Sequence, residues 1–251
     1  MAARRTALPL AVMLALTTAA GPGQAAEVHV AVAANFTAAA REVTAAFEQE
    51  TGDTAVLSFG STGQLFTQIV HGAPFDVFLA ADQARPERAV AEGYAVGESR
   101  FTYATGRIAL YSIDPDLVTG EPTLADASFD KIAIANPETA PYGAAAIETM
   151  RALGVHDTLA PRIVRGSNIA QAYQFVATGS AELGFVALSQ IATVAGGSRW
   201  VVPQHFYAPI FQDAVILGTA SDNGTARHFM TFLEGPKARA IIARYGYGLA
   251  E

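Results

Sequence analysis

From residue 28 to residue 93 the chain alternates short apolar runs with longer amphipathic ones. Val28–Ala34 is almost wholly apolar and predicts a buried strand. Ala38–Glu50 then sets Ala39, Val43, Ala46 and Phe47 on one stripe, which predicts a helix. Thr51-Gly52-Asp53 ends it, with Gly52 suited to the left-handed position after a last turn. Ala55–Phe59 predicts a second strand, and Gln64–His71 a second helix with Leu65, Ile69 and Val70 inward. After the Gly72-Ala73-Pro74 turn, Asp76–Ala80 predicts a third strand, followed by a helix over Arg85–Glu92 that Gly93 closes. Strands separated by helices of this length imply βαβ units in a parallel sheet.

The rhythm breaks over Phe101–Arg107 and resumes with a strand at Ile108–Ser112. A loop rich in Asp, Pro and Gly covers Ile113–Pro122, and a second βα series follows. Strands are expected at Ile132–Ala135, Arg162–Val164 and Leu183–Ala187, with helices at Tyr142–Leu153 and Ile169–Thr178. A last strand, Ala214–Leu217, precedes helices at Asn223–Leu233 and Pro236–Arg244. The pattern therefore gives two α/β units, and the C-terminal segment suits the first. Open α/β sheets bind ligands at the carboxyl ends of their strands. Asn35, Ser61, Thr62, Asn136-Pro137, Gly166-Ser167-Asn168 and Ala187 all lie at such ends.

Two of these turns are alike. Ala33-Ala34-Asn35-Phe36-Thr37 and Gly60-Ser61-Thr62-Gly63-Gln64 each follow a strand and open a helix. The first turn of a helix leaves N–H groups without intrahelical partners, and converging helix N-termini make a site for an oxyanion. The same residues also read as ordinary caps. Ser61 and Gln64 have capping-box spacing, and Asn35 suits the cap of the helix after it. Gly60 and Gly63 leave bare backbone that an anion can approach. In the second unit, Asn168 has cap spacing to Gln171, which leaves Ile169 to offer a backbone N–H while its side chain packs. Pro141 fits a first helical turn, and Tyr142 suits either a core aromatic or a phenol aimed across a cleft.

Composition narrows the function. The first 26 of the 251 residues read as an export signal, with Arg4 and Arg5 before an apolar stretch from Ala7 to Ala20 and small residues near Ala25 and Ala26. Without it the formal charge moves from −7 to about −9, which argues against a nucleic-acid partner. An anion must then be captured by local dipoles against the overall field. The absence of Cys fits an exported protein.

Catalytic signals are weak. His29, His71, His156, His205 and His228 show no metal-ligand spacing. The Ser61 turn is not a Gly-x-Ser-x-Gly elbow, and nothing supplies a base for a hydrolase built on Ser61. No dinucleotide fingerprint or phosphate-loop Lys appears, so no cofactor is expected. A receptor for sulfate or an organic anion is the other alternative, with Arg107 or Arg165 as its cation.

An ordered set of short motifs resembles the periplasmic molybdate-binding protein family, the solute receptors of molybdate importers. The set comprises Asn35-Phe36-Thr37, Phe59-Gly60-Ser61-Thr62-Gly63 and Gly72-Ala73-Pro74-Phe75-Asp76-Val77-Phe78-Leu79-Ala80-Ala81-Asp82. It continues with Asn136-Pro137, Ala140-Pro141-Tyr142-Gly143, Leu183-Gly184-Phe185-Val186-Ala187 and Gly235-Pro236-Lys237-Ala238. The resemblance runs from Val28 to Tyr247.

That resemblance implies a two-lobed α/β periplasmic-binding-protein fold. Each lobe is a mainly parallel sheet flanked by helices, and the ligand lies in the cleft between them. Residues 27–107 plus 211–251 would form one lobe and 108–210 the other, with crossovers near Ile108–Ser112 and Tyr207–Val215. Family members hold the oxyanion with hydroxyls and backbone N–H groups, without a cationic side chain. Carried over by position, the ligand-binding residues are Asn35, Ser61, Thr62, Tyr142 and the Ile169 N–H. Molybdenum or tungsten would be present only as the bound oxyanion. Some members place a Tyr hydroxyl after the Leu-Gly-x-Val strand, where this chain has Ala187, so Tyr142 is expected to supply the phenol from the opposite loop. The implied partners are molybdate or tungstate and, transiently, a membrane-embedded ABC permease; the receptor itself is expected to be a periplasmic monomer.

Overall fold

The computed structural model describes residues 26–249. The expected export signal, apart from residue 26, lies outside them. The chain opens with β1 (Glu27–Ala33), a single 3-10 turn (Ala34–Phe36), α1 (Thr37–Thr51), β2 (Thr54–Gly60), α2 (Thr62–Val70), β3 (Val77–Leu79) and α3 (Ala84–Ala91). These follow the apolar periodicity to within two residues at each end. Gly52 takes the left-handed conformation (φ 77°) after α1, as its position predicts.

Next come β4 (Phe101–Gly106), β5 (Ile108–Ser112), α4 (Pro122–Asp126), β6 (Ile132–Ala135), α5 (Pro141–Ala152), α6 (His156–Leu159), β7 (Ile163–Gly166), α7 (Ile169–Ala177), β8 (Leu183–Ala187), α8 (Leu188–Ile191) and β9 (Ser198–Val201). The chain finishes with β10 (Ile210–Ile216), α9 (Gly224–Glu234) and α10 (Pro236–Arg244).

The strands form two five-stranded sheets of the same design, in the orders β2-β1-β3-β10-β4 and β7-β6-β8-β5-β9. In each, the first three strands are parallel and the fourth runs antiparallel to both neighbours. The antiparallel strand is the one that has just crossed over. Edge strand β4 passes through Arg107 into β5 of the other sheet, and edge strand β9 leads back through residues 202–209 into β10. The crossings lie side by side, because Gly106 pairs with Ile210.

Alternation along each strand sets what packs on each face. In the first sheet Val28, Val30, Val32, Val77 and Leu79 share a core with Phe47, Phe229 and Ile242. Ala31, Phe78 and Val215 turn to the opposite face and meet Leu65, Phe66 and Ile69 of α2. In the second sheet Leu110, Ile132, Ile134 and Phe185 pack with Ile147 and Met150. Ala33, Ala34 and Ala81, at strand ends of the first sheet, join that second core, so the lobes meet through apolar as well as polar contact.

Three expectations need correction. Phe101–Arg107 is not a break: its first six residues form β4, an edge strand paired with β10 and bridged at Thr105 to Gly248. β10 begins at Ile210 rather than Ala214, because the polar pair Gln212-Asp213 hides its strand character yet is fully buried within it. The elements α4, α6, α8 and β9 are at most five residues long and carry too short a period to register in the apolar pattern.

Candidate functional site

The Ser61 turn is the helix start that its spacing predicts. Ser61 adopts an extended conformation; its Oγ accepts from the Gln64 N–H, and its own N–H donates to Gln64 Oε1, both at 3.4 Å. The Ser61 hydroxyl retains a proton to donate. Thr62 opens α2, and its Oγ1 accepts from the Ala81 N–H at 3.1 Å, so its proton is also free to point elsewhere. Both side chains are buried. The Gly63 N–H crosses to the other lobe and donates to the Thr139 carbonyl at 2.9 Å. A Cβ at residue 63 would sit 3.0 Å from Thr139 Cα, so the bare backbone permits this approach. Arg85, paired with Asp82, reaches the Glu138 carbonyl at 3.1 Å beside it.

Asn35 is not the cap of α1. The cap position falls on Phe36, and no side chain caps that helix. Asn35 instead lies inside the 3-10 turn, 4% exposed, at the centre of a buried polar cluster. Its Nδ2 donates to Gln212 Oε1 at 2.9 Å, Tyr247 Oη at 3.1 Å and Tyr142 Oη at 3.4 Å. Its backbone carbonyl accepts from Tyr247 Oη at 2.8 Å and Ser189 Oγ at 2.9 Å. The isolated turn would not hold this side chain inward; contacts more than 100 residues away do.

From the second lobe, Pro141 starts α5 at the position its missing N–H makes harmless, and Tyr142 follows it. Tyr142 is 1% exposed, and its phenol enters the first lobe. There its oxygen accepts from Gln212 Nε2 at 3.0 Å and from Asn35. A Cβ on Gly106 would overlap this hydroxyl and the Gln212 amide, so glycine is required at that crossing. Burial pushes the phenols of Tyr103, Tyr142 and Tyr247 above their usual range, so all three are protonated donors at neutral pH.

Ile169 opens α7 behind the Asn168 cap, whose Oδ1 accepts from the Gln171 N–H at 3.0 Å. Its side chain packs in the second core, and its carbonyl accepts from Gln190 Nε2 at 3.1 Å. α7 also packs against the 3-10 turn that carries Asn35. Asn35 and Tyr142 are thus directly bonded. The Ser61–Thr62 turn joins the second lobe through Gly63, and the Ile169 turn meets the first through α7.

Apart from Arg85, which Asp82 neutralises, the donors described here are neutral. Arg107 and Arg165, the expected cations of an alternative receptor, are both exposed. Buried Asp213 is neutralised by Arg100 at 2.7 Å and accepts from Thr102. Each histidine has its contact elsewhere: Glu27, the Thr67 carbonyl, Asp157, Phe206 and Asp53 serve the five in turn. Among the described hydrogen bonds Ser61 pairs with Gln64 and with no histidine, and a hydrolase would need that pairing. Among the described residues no group of three or more acidic, His or Cys side chains is placed to hold a metal.

Sequence reasoning missed Gln212, Tyr247, Ser189 and Tyr103, which complete the cluster around Asn35. The signal for Gln212 was present: a polar residue inside an otherwise apolar strand is buried only with partners. Tyr247 and Ser189 carry no comparable local mark.

Mirrored α/β lobes with polar helix starts meeting at their seam define an extracellular solute receptor. The family model described as bacterial extracellular solute-binding protein matches residues 28–248. Relatives named molybdate-binding protein ModA include those of two bacteria. That of Rhodobacter capsulatus is 52% identical, covering 96% of this chain and 94% of its own. That of Azotobacter vinelandii is 50% identical, covering 96% and 97%. The solved structure of the Azotobacter vinelandii periplasmic molybdate-binding protein superposes with a TM-score of 0.87 at 41% identity, covering 89% of this chain and all of that one. The chain belongs to the periplasmic molybdate-binding protein family, whose members are transport receptors rather than enzymes.

Proposed function

We propose that this protein binds molybdate, and also tungstate, in the seam between its lobes and delivers it to an ABC import permease. The observation that carries the reading is the meeting of neutral donors from both lobes at one seam, where the one cation described, Arg85, is paired with Asp82 and bonded to a carbonyl. The hydroxyls of Ser61, Thr62 and Tyr142 and the backbone N–H groups of Asn35 and Ile169 are its ligands. Asn35 contributes its backbone because its side-chain amide is already bonded within the cluster. Residues 27–107 plus 211–251 and residues 108–210 move as the two lobes, hinged where Gly106 and Ile210 pair. The protein is exported by its N-terminal leader and acts as a periplasmic monomer.

A tetrahedral dianion taken out of water needs about seven or eight donors around it. Dipoles at helix starts meet this need without a counter-charge. A fixed cage selects by size, so the near-equal molybdate and tungstate compete, while smaller sulfate leaves donors stretched. Protonated phosphate turns an O–H toward donors that cannot accept it, an unsatisfied contact costing about 1–3 kcal/mol. The ligand favours the closed form only through its better contacts there, and closure presents a distinct surface to a permease.

A thermal-shift screen of the mature protein against molybdate, tungstate, sulfate and phosphate tests this. At a thousandfold excess over Kd, a ligand adds about 4 kcal/mol, which raises Tm by roughly 8–16 °C for a domain of this size. Molybdate and tungstate are expected to do so. A larger shift with sulfate would overturn the choice of anion.

A further inference from the structure

The Tyr142 oxygen accepts from Gln212 Nε2 at 3.0 Å, and Asn35 Nδ2 lies 3.4 Å away with its two hydrogens shared with the nearer Gln212 Oε1 and Tyr247 Oη. With the Gln212 N–H on its oxygen, the phenol is left with its proton to give, to Tyr247 or to a ligand. Gln212 is fully buried on β10 and touches the cluster at each end of its amide. Its Oε1 accepts from Asn35 Nδ2 at 2.9 Å and from Tyr103 Oη at 3.0 Å. Asn35 Nδ2 and Tyr103 Oη on one side and the Tyr142 oxygen on the other match this orientation of the amide. Gln212 and Asn35 belong to the first sheet's lobe and Tyr142 to the second's, so the phenol acquires this polarity only when the lobes are together.

We infer that Gln212 is a positioning residue for the oxyanion site. In the closed form its N–H occupies the Tyr142 oxygen, which favours the phenol as a donor, and its carbonyl holds the Asn35 turn, without touching the anion itself. A phenol free to turn would present a lone pair to a dianion in part of the population; the Gln212 N–H takes up that lone pair. The inference rests on the oxyanion reading above and adds to it a residue outside the set of ligands.

The test is a double-mutant cycle by calorimetry on the mature protein, with the wild type titrated first against molybdate, tungstate and sulfate and the cycle run with whichever binds. Gln212→Met keeps the length of the side chain and removes both polar ends; affinity is expected to fall 10- to 100-fold. In a Tyr142→Phe background the same change is expected to cost less than threefold, because there is no phenol left to orient. Gln212→Glu adds a second acceptor that draws the phenol proton inward. Its affinity is expected to fall more than 100-fold at pH 8 and to recover by at least tenfold at pH 6 as the buried carboxyl protonates, while the wild type stays flat.

Equal losses from Gln212→Met in both backgrounds would overturn the inference, and so would Gln212→Glu binding like wild type. If Gln212→Glu fails to fold, the Met cycle decides alone. Failure of the wild type to bind any of the three anions would instead overturn the functional reading beneath it.

Discussion

The Ser61 and Asn35 turns end neighbouring strands and open the two helices beside them, yet they are built on opposite principles. At Ser61 the structure is local: a hydroxyl and a Gln three residues on satisfy each other's backbone partners. At Asn35 nothing is local. Its side chain is gripped by residues 142, 212 and 247, and its carbonyl by 189 and 247. A local cap is fixed once its helix forms. A non-local node is fixed only when both lobes and the C-terminal end are in place. The two turns that look alike in sequence are therefore a rigid donor pair and a closure-dependent one.

Alkali should attack the second kind first and produce the largest effect. Tyr103, Tyr142 and Tyr247 are all raised by burial from the ordinary value of 10.0, so the unfolded chain loses these phenolic protons while the fold retains them. Their contribution to stability is unchanged below pH 10 and falls above it, by about 1.4 kcal/mol per pH unit for each. Urea denaturation between pH 8 and 11 is expected to show a loss of roughly 3–4 kcal/mol over the last unit. A flat profile would mean that the node is wetter than its burial indicates.

Asn35→Leu removes the amide on which the node centres and leaves Gln212 Oε1 with Tyr103 as its remaining donor. Stability is expected to fall by about 2–3 kcal/mol, since the buried hydrogen bonds of the amide are lost together, and molybdate binding is expected to be lost. Chemical denaturation and calorimetry check the two halves separately. Ser61→Ala is expected to do less to the fold, about 1 kcal/mol from a lost cap. Its effect on affinity is also smaller, because one donor is removed without loosening its neighbours. If Ser61→Ala matched Asn35→Leu in either measurement, the division between local and non-local turns would fail.

The same division explains what could be read in the chain. β1, α1, β2 and α2 follow from apolar period, a capping box and a C-terminal Gly, all signals within a few residues of where they act. The family motifs run in order along the chain and gave the two-lobed receptor fold. β4 and the start of β10 were missed because their polar residues, Thr102, Gln212 and Asp213, read as surface. Each is in fact satisfied across the sheet, Asp213 by Arg100 and Thr102, and Gln212 by Tyr103, Tyr142 and Asn35. Polar partners a hundred residues apart leave no period to detect. The cap reading of Asn35 fails for the same reason, since its partners lie far along the chain.

If neutral donors from both lobes form a cage sized for molybdate, a calorimetric titration of the mature protein with molybdate in excess sulfate will show it. A tight, one-to-one isotherm is expected, which sulfate leaves nearly unchanged and tungstate abolishes by competition. Displacement of molybdate by sulfate at comparable concentration would rule such a cage out.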